Sequence, residues 1–179
     1  MHMSMSETRD LRGRSAAVVF SSRFGNTEKI AKSFESGLRR SGMQTLCVNA
    51  QAISPDSLRG YDLICVGGPT EAFSASKLMK EFLKSTGQVD LEGKFSFAFD
   101  TKLDSPFSGS AAKYIEHALD DQGLHVVMAR QSAIVTVQRQ KGGVTGAALK
   151  MGEEERFQGL GLRVGTAATE VMTRIIRVP

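Results

Sequence analysis

The sequence predicts an α/β fold, a doubly wound parallel sheet with helices on both faces, and three observations carry that reading. Short runs made wholly of apolar residues recur along the chain, as strands buried on both faces require. Longer amphipathic stretches separate them, and each run stops abruptly in small, polar or glycine-bearing residues. Strand and helix alternating in this way give a parallel sheet, because parallel neighbours need crossover connections.

The elements follow in order. Ala16-Ala17-Val18-Val19-Phe20 is too short for a helix and ends in Ser21-Ser22, so it is the first strand. Residues 26–40 carry Ile30, Phe34 and Leu38 at spacing four with Ala31 beside them, one apolar helix face stopped by Ser41-Gly42. Residues 43–48 form the second strand, and Leu63-Ile64-Cys65-Val66 the third, closed by Gly67-Gly68-Pro69. Leu78, Met79, Phe82 and Leu83 mark a helix ending near Gly87. Residues 95–99 are the fourth strand, broken by Asp100. Residues 108–122 are a helix with Ala112, Ile115 and Leu119 inward, and Gly123 suits its stop. An extended stretch follows at 125–128, and 133–137 is the fifth core strand. Residues 138–151, polar and glycine-bearing, read as a long loop. The last helix opens on Glu153-Glu154-Glu155, acids suited to the positive end of its dipole. Phe157, Leu160, Val164, Ala168, Val171 and Ile175 form its inner stripe, and Gly159, Gly161 and Gly165 weaken its continuity.

Composition narrows the class. A chain of 179 residues with 41% hydrophobic and 23% charged side chains is sized and balanced for one globular domain. The domain is expected to span 15–179, behind a disordered tail at 1–14 whose Met1-His2-Met3 reads as a start-site or cloning remnant. No apolar run is long enough for a membrane span, and the N-terminus has no signal-like core, so the expectation is a cytoplasmic protein with no membrane role. Two cysteines without CxxC, and His2, His117 and His125 far apart, exclude a disulfide scaffold and a metal module. The net charge of +4 belongs mostly to the domain, since the first 14 residues hold Arg9, Arg12 and Arg14 against Glu7 and Asp10. It lacks the concentrated basic stripe of a nucleic-acid binder.

In such a sheet ligands sit outside the carboxyl ends of the strands. Ser21-Ser22-Arg23-Phe24-Gly25-Asn26-Thr27 follows the first strand and opens directly onto a helix. Backbone N–H groups at a helix start, with Ser and Thr hydroxyls, suit a phosphate, although an ordinary capped turn has the same composition. Neither a P-loop nor a GxGxxG fingerprint is present. Cys47 and Cys65 fall on the second and third strands and read as buried thiols.

Ser22-Arg23-Phe24-Gly25-Asn26-Thr27, continuing Glu28-Lys29-Ile30-Ala31, resembles the phosphate loop of the flavodoxin family, in which Ser or Thr, any residue, Ser or Thr, Gly, any residue and Thr follow one another. Gly67-Gly68-Pro69-Thr70 is similar to that family's second flavin loop, and Asp100-Thr101-Lys102-Leu103-Asp104 falls where it places the third. The likeness runs from about Ala16 to Ile176. It implies a five-stranded sheet of order 2-1-3-4-5 and non-covalently bound FMN. The implied cofactor contacts are Ser21, Ser22, Arg23, Phe24, Gly25, Asn26 and Thr27 after the first strand. Pro69, Thr70, Glu71, Ala72 and Phe73 follow the third, and Asp100, Thr101, Lys102, Asp104 and Phe107 the fourth. Phe24 departs from the pattern, where the family carries a hydroxyl. With no Trp in the chain, Phe73 and Phe107 either stack on the flavin ring or pack beneath their loops.

Three functions fit the resemblance. They are an electron carrier docking a redox partner protein, an FMN-dependent NAD(P)H:quinone oxidoreductase, and a binding module that has lost FMN. No catalytic residue is assigned, and a homo-oligomer stays open. Carriers of the family are typically acidic, so the positive charge of this chain argues against their usual basic partners. Arg139 and Lys141 emerge at the same end of the sheet. They either steer an anionic partner, hold the phosphates of NADPH, or lie in a solvated connection.

Overall fold

The computed structural model describes residues 14–176. The expected N-terminal tail therefore lies outside the described residues except for Arg14, whose carbonyl accepts a hydrogen bond from the Gln44 N–H. The elements run β1 (Ser15–Phe20), α1 (Asn26–Arg40), β2 (Gln44–Asn49), β3 (Leu63–Glu71), β4 (Ser74–Ala75), α2 (Lys77–Thr86), β5 (Phe95–Leu103), α3 (Ala111–Asp121), β6 (His125–Val126), β7 (Gln131–Gln140), β8 (Gly143–Leu149) and α4 (Glu153–Ile176). Two short 3-10 turns, Ala50–Ala52 and Pro55–Gly60, connect β2 to β3.

The sheet order is β2-β1-β3-β5-β7-β8. Its first five members pair in parallel, which is the expected 2-1-3-4-5 arrangement when the long parallel strands alone are counted. Each strand alternates between two cores. Val18, Cys65, Phe97 and Phe99 face α1 and α4, while Ala17, Val19, Ile64, Val66 and Ala98 face α2 and α3. Burial on both faces is why these strands read as unbroken apolar runs. Phe34, Phe97 and Phe99 stack, the first two with centroids 5.1 Å apart, and Phe157 of α4 closes the group edge-on at 6.0 Å from Phe99.

Four expectations are corrected. The 138–151 segment is not a loop: β7 and β8 form an antiparallel hairpin with its turn at Lys141-Gly142 and a bulge between Gln138 and Arg139. Backbone pairing, not side-chain burial, holds it, so its mixed composition hid it. β3 and β5 run on past their apolar segments, because Gly68 pairs with Asp100 and Pro69 with Thr101 regardless of polarity. α4 is unbroken through its glycines, and one of them, Gly161, meets Gly37 of α1 where the two helices pack. A Cβ at Gly161 would overlap the Phe34 carbonyl, and one at Gly37 would overlap the Gln158 carbonyl, so bare backbone lets the helices touch. The inner stripe of α4 ends on Met172, while Val171 and Ile175 are exposed. Among the described residues no helix is long and apolar enough to cross a membrane.

A candidate cofactor cleft at the strand ends

The carboxyl ends of β1, β3 and β5 open into a cleft of about 370 Å³, within the size range of small-molecule sites. The β1–α1 connection forms one wall. Gly25 sits at the start of α1 with φ of +83°, a left-handed conformation that glycine adopts without strain, and brings no capping side chain of its own. The first N–H groups of α1 thus face the end of the helix where its dipole is positive. Ser22 Oγ reaches only the Glu28 N–H, at 3.4 Å. Asn26 and Thr27 are buried, and both are already engaged. The Asn26 Nδ2 donates to the Ala147 carbonyl at 2.8 Å, and the hydroxyls of Thr27 and Thr101 share a hydrogen bond of 2.8 Å.

The second wall is the end of β3 and the loop after it. Ala72 and Phe73 have positive φ, +44° and +68°, which non-glycine residues adopt rarely and at a cost of order 1–3 kcal/mol each. A buried network beneath them holds that shape. Asp100 Oδ2 accepts from Thr70 Oγ1 at 3.1 Å, Ser110 Oγ at 2.8 Å and the Ala112 N–H at 2.9 Å. Thr70 Oγ1 accepts the Ala111 N–H, and the Phe73 carbonyl accepts the Ser110 N–H. One carboxylate thereby joins the ends of β3 and β5 to the start of α3. The third wall is apolar: Leu103 with Val135, Val137, Val144 and Ala147 of the hairpin.

Residues 17–153 match the profile of the flavodoxin domain. The chain belongs to the flavodoxin family. A flavodoxin of Clostridium saccharobutylicum is 34% identical over 86 residues, which cover 48% of this chain and 54% of that protein. An NAD(P)H dehydrogenase (quinone) of Archaeoglobus fulgidus is 28% identical over 131 residues, 57% of this chain and 68% of that one. The chain spans about half the length of the clostridial flavodoxin it matches. Among solved structures, an archaeal flavodoxin superposes with a TM-score of 0.70 at 20% identity, covering 87% of this chain and 99% of its own.

Within this flavodoxin domain the residues singled out in the sequence divide sharply. Ser22, Arg23, Phe24, Asn26, Thr27, Pro69, Thr70, Glu71, Ala72, Thr101 and Lys102 line the cleft together. Ser21 is buried and borders an adjoining cleft rather than the main one, and Gly25 contributes backbone shape. Asp100 is fully buried and faces the network under the loop. Asp104 is exposed, 3.9 Å from the Lys150 ammonium. Phe73 and Phe107, 72% and 82% exposed, do not pack under their loops. They line an adjoining cleft that shares Thr70, Ala72 and Leu103 with the main one. Of the hairpin wall, Val135 and Val137 lie in the fifth strand that the sequence predicts, while the return strand with Val144 and Ala147 escaped it, although Gly142-Gly143 between the valines is a hairpin signal.

The cysteines stay outside the site. Cys47 and Cys65 both pair with Val18 across β1, one on each side. Burial, with the Glu35 charge nearby, pushes the Cys47 thiol up to about 12, and burial raises Cys65 well above its ordinary value. Neither is a thiolate at neutral pH.

Proposed function

We propose that the chain binds FMN in the strand-end cleft and works as an electron carrier. The observation that carries this reading is the start of α1 at Gly25, a residue with no capping side chain, opening onto a cleft built from three successive strand ends. The residues present fit the group. Free backbone N–H groups at a helix N-terminus, with Ser22 and Asn26 beside them, would hold a phosphate. The apolar hairpin wall and the exposed Phe73 and Phe107 offer flat or dry neighbours to a planar ring. Bound FMN would supply one- and two-electron transfer. The chain would hold it, orient it and keep water from one side of it. Phe24 lines the cleft without a hydroxyl, and the Arg23 guanidinium lies 5.1 Å from its ring, so charge stands where a hydrogen bond is missing.

The test is titration of the purified protein with FMN, followed by flavin fluorescence and absorbance, with riboflavin and FAD in parallel. Saturable uptake of FMN, and weaker uptake of riboflavin, is the expected result. A protein that takes up no FMN is instead a binding module without a flavin. The quinone reductase reading is favoured by the likeness to the Archaeoglobus fulgidus dehydrogenase. It predicts that NADH or NADPH bleaches the bound flavin anaerobically and that a quinone restores it. An electron carrier is not bleached by NADH or NADPH at a useful rate.

A further inference from the structure

We propose that the mouth of the cleft is a docking surface for an acidic redox protein. Five exposed apolar side chains gather there. Phe24 is 54% exposed, Leu103 43% and Val144 59%, and with Phe73 and Phe107 they rim the two contiguous clefts. A compact apolar centre bounded by polar residues is the anatomy of a protein interface.

The charge around that centre has one dominant sign. Arg23 and Lys102 line the cleft, and Arg139 and Lys141 are exposed on the hairpin tip. None of the four belongs to an ion pair among the described residues. Against them stands Glu71, while Asp104 lies beside Lys150. The hairpin also puts the tip where a partner arrives. β5 stops at Leu103 opposite Val135, so β7 and β8 continue beyond it as a two-stranded ribbon. Its inner side lines the cleft and its end carries the cations. Unpaired cations held at the end of a projecting ribbon repel a basic protein and draw in an acidic one, raising the encounter rate more than the affinity. An apolar centre this small fits a transient complex, as a carrier needs to release its partner.

The proposal takes its purpose from the FMN reading, but docking is measurable without it. The probe is an oxidised, acidic plant-type ferredoxin, with basic cytochrome c as the contrast, each titrated into isotopically labelled protein and followed by amide shifts. Both the protein as isolated and the FMN-titrated protein are measured. Expected is saturable ferredoxin binding with shifts at residues 71–74, 103–108 and 139–144. Binding weakens about tenfold or more as salt rises from about 0.01 M to about 0.15 M, where the Debye length falls from ~30 Å to ~8 Å. Arg139→Glu with Lys141→Glu should weaken it to a similar degree and flatten the salt dependence, leaving FMN uptake unchanged. Phe107→Ser should weaken it while keeping the salt slope. Ferredoxin binding equal in the charge-reversed protein, tighter binding of cytochrome c, or shifts elsewhere would overturn the proposal. So would salt-sensitive binding of NADPH at the tip with no ferredoxin binding. Failure to take up FMN sinks the cofactor reading alone, since docking on the isolated protein is read separately.

Discussion

Thr27 and Asn26 hold the wall of the cleft through partners far away in sequence, Thr101 and Ala147. Each side chain therefore has a structural role beside the proposed phosphate role, and the two are separable by experiment. Asn26→Ala with Thr27→Ala should weaken FMN binding about tenfold or more, since hydrogen bonds to charged groups are worth roughly 1.5–3 kcal/mol each. The same double variant should melt lower, because Thr101 loses its buried partner. Unchanged affinity with a lowered melting temperature would assign both residues to structure alone. Asp100 makes the complementary case, legible in the sequence as the polar end of a strand but not in its direction. The sequence shows a carboxylate closing the apolar run of β5; only the fold turns it inward to collect Thr70, Ser110 and Ala112. Asp100→Ala leaves three donors without their acceptor and should cost about 3 kcal/mol or more in chemical denaturation. It should also loosen the Ala72-Phe73 turn. If that variant is as stable as the parent, the network does not hold the loop.

At the level of elements, α4 offers a paired test of why glycine stands where it does. Gly159 is exposed with nothing near its missing Cβ, so Gly159→Ala should stabilise by about 0.5–1 kcal/mol through helix propensity. Gly161→Ala carries the same propensity gain and should nonetheless destabilise, because the added methyl meets the Phe34 carbonyl. Equal effects in a denaturant titration would mean that the two helices separate easily. The start of α4 is fixed to β7 by Glu153, whose Oε2 accepts from the Ile134 N–H at 2.9 Å and from Arg156 at 2.7 Å. Burial pushes its carboxyl up, but Arg156, the Ile134 N–H and the Lys150 charge outweigh that and leave it below the ordinary glutamate range. A depressed folded value means that the stabilisation is present above the unfolded pKa, about 4.3, and is lost as pH falls through the folded value. Glu153→Gln should therefore cost about 1–3 kcal/mol at neutral pH and progressively less in acid. A cost independent of pH would remove the ionic part of this account. Helices and core strands were readable because burial imposes periods on the sequence, as Ile30-Phe34-Leu38 and Phe95-Phe97-Phe99 show. Of the β7–β8 hairpin only residues 133–137 were readable, because beyond them a ribbon solvated on one side and facing a cleft on the other shows no unbroken apolar run.

For the molecule as a whole, the five parallel strands and their helices form a closed pair of cores, and the ribbon stands apart from both. Beyond Val135 its inner valines face only the cleft, and the Asn26 side chain supplies one hydrogen bond to Ala147. Such a segment opens at lower free energy than the core strands, since little apolar area is buried with it. A ring seated in the cleft would give those valines a partner, and each square ångström of apolar surface withdrawn from water contributes about 25 cal/mol. FMN should therefore slow amide exchange in residues 136–140 and 143–148 more than in β1 or β3, which are already covered. The global effect follows from mass action: ligand at about 100 times its Kd adds about 2.7 kcal/mol. For a domain of this size that is a rise in melting temperature of roughly 5–10 °C. Asn26→Ala should speed exchange in the ribbon before FMN is added and diminish the protection gained afterwards. A melting shift without any change in ribbon exchange would show that FMN is held by the three strand-end loops alone, with the hairpin no part of the wall.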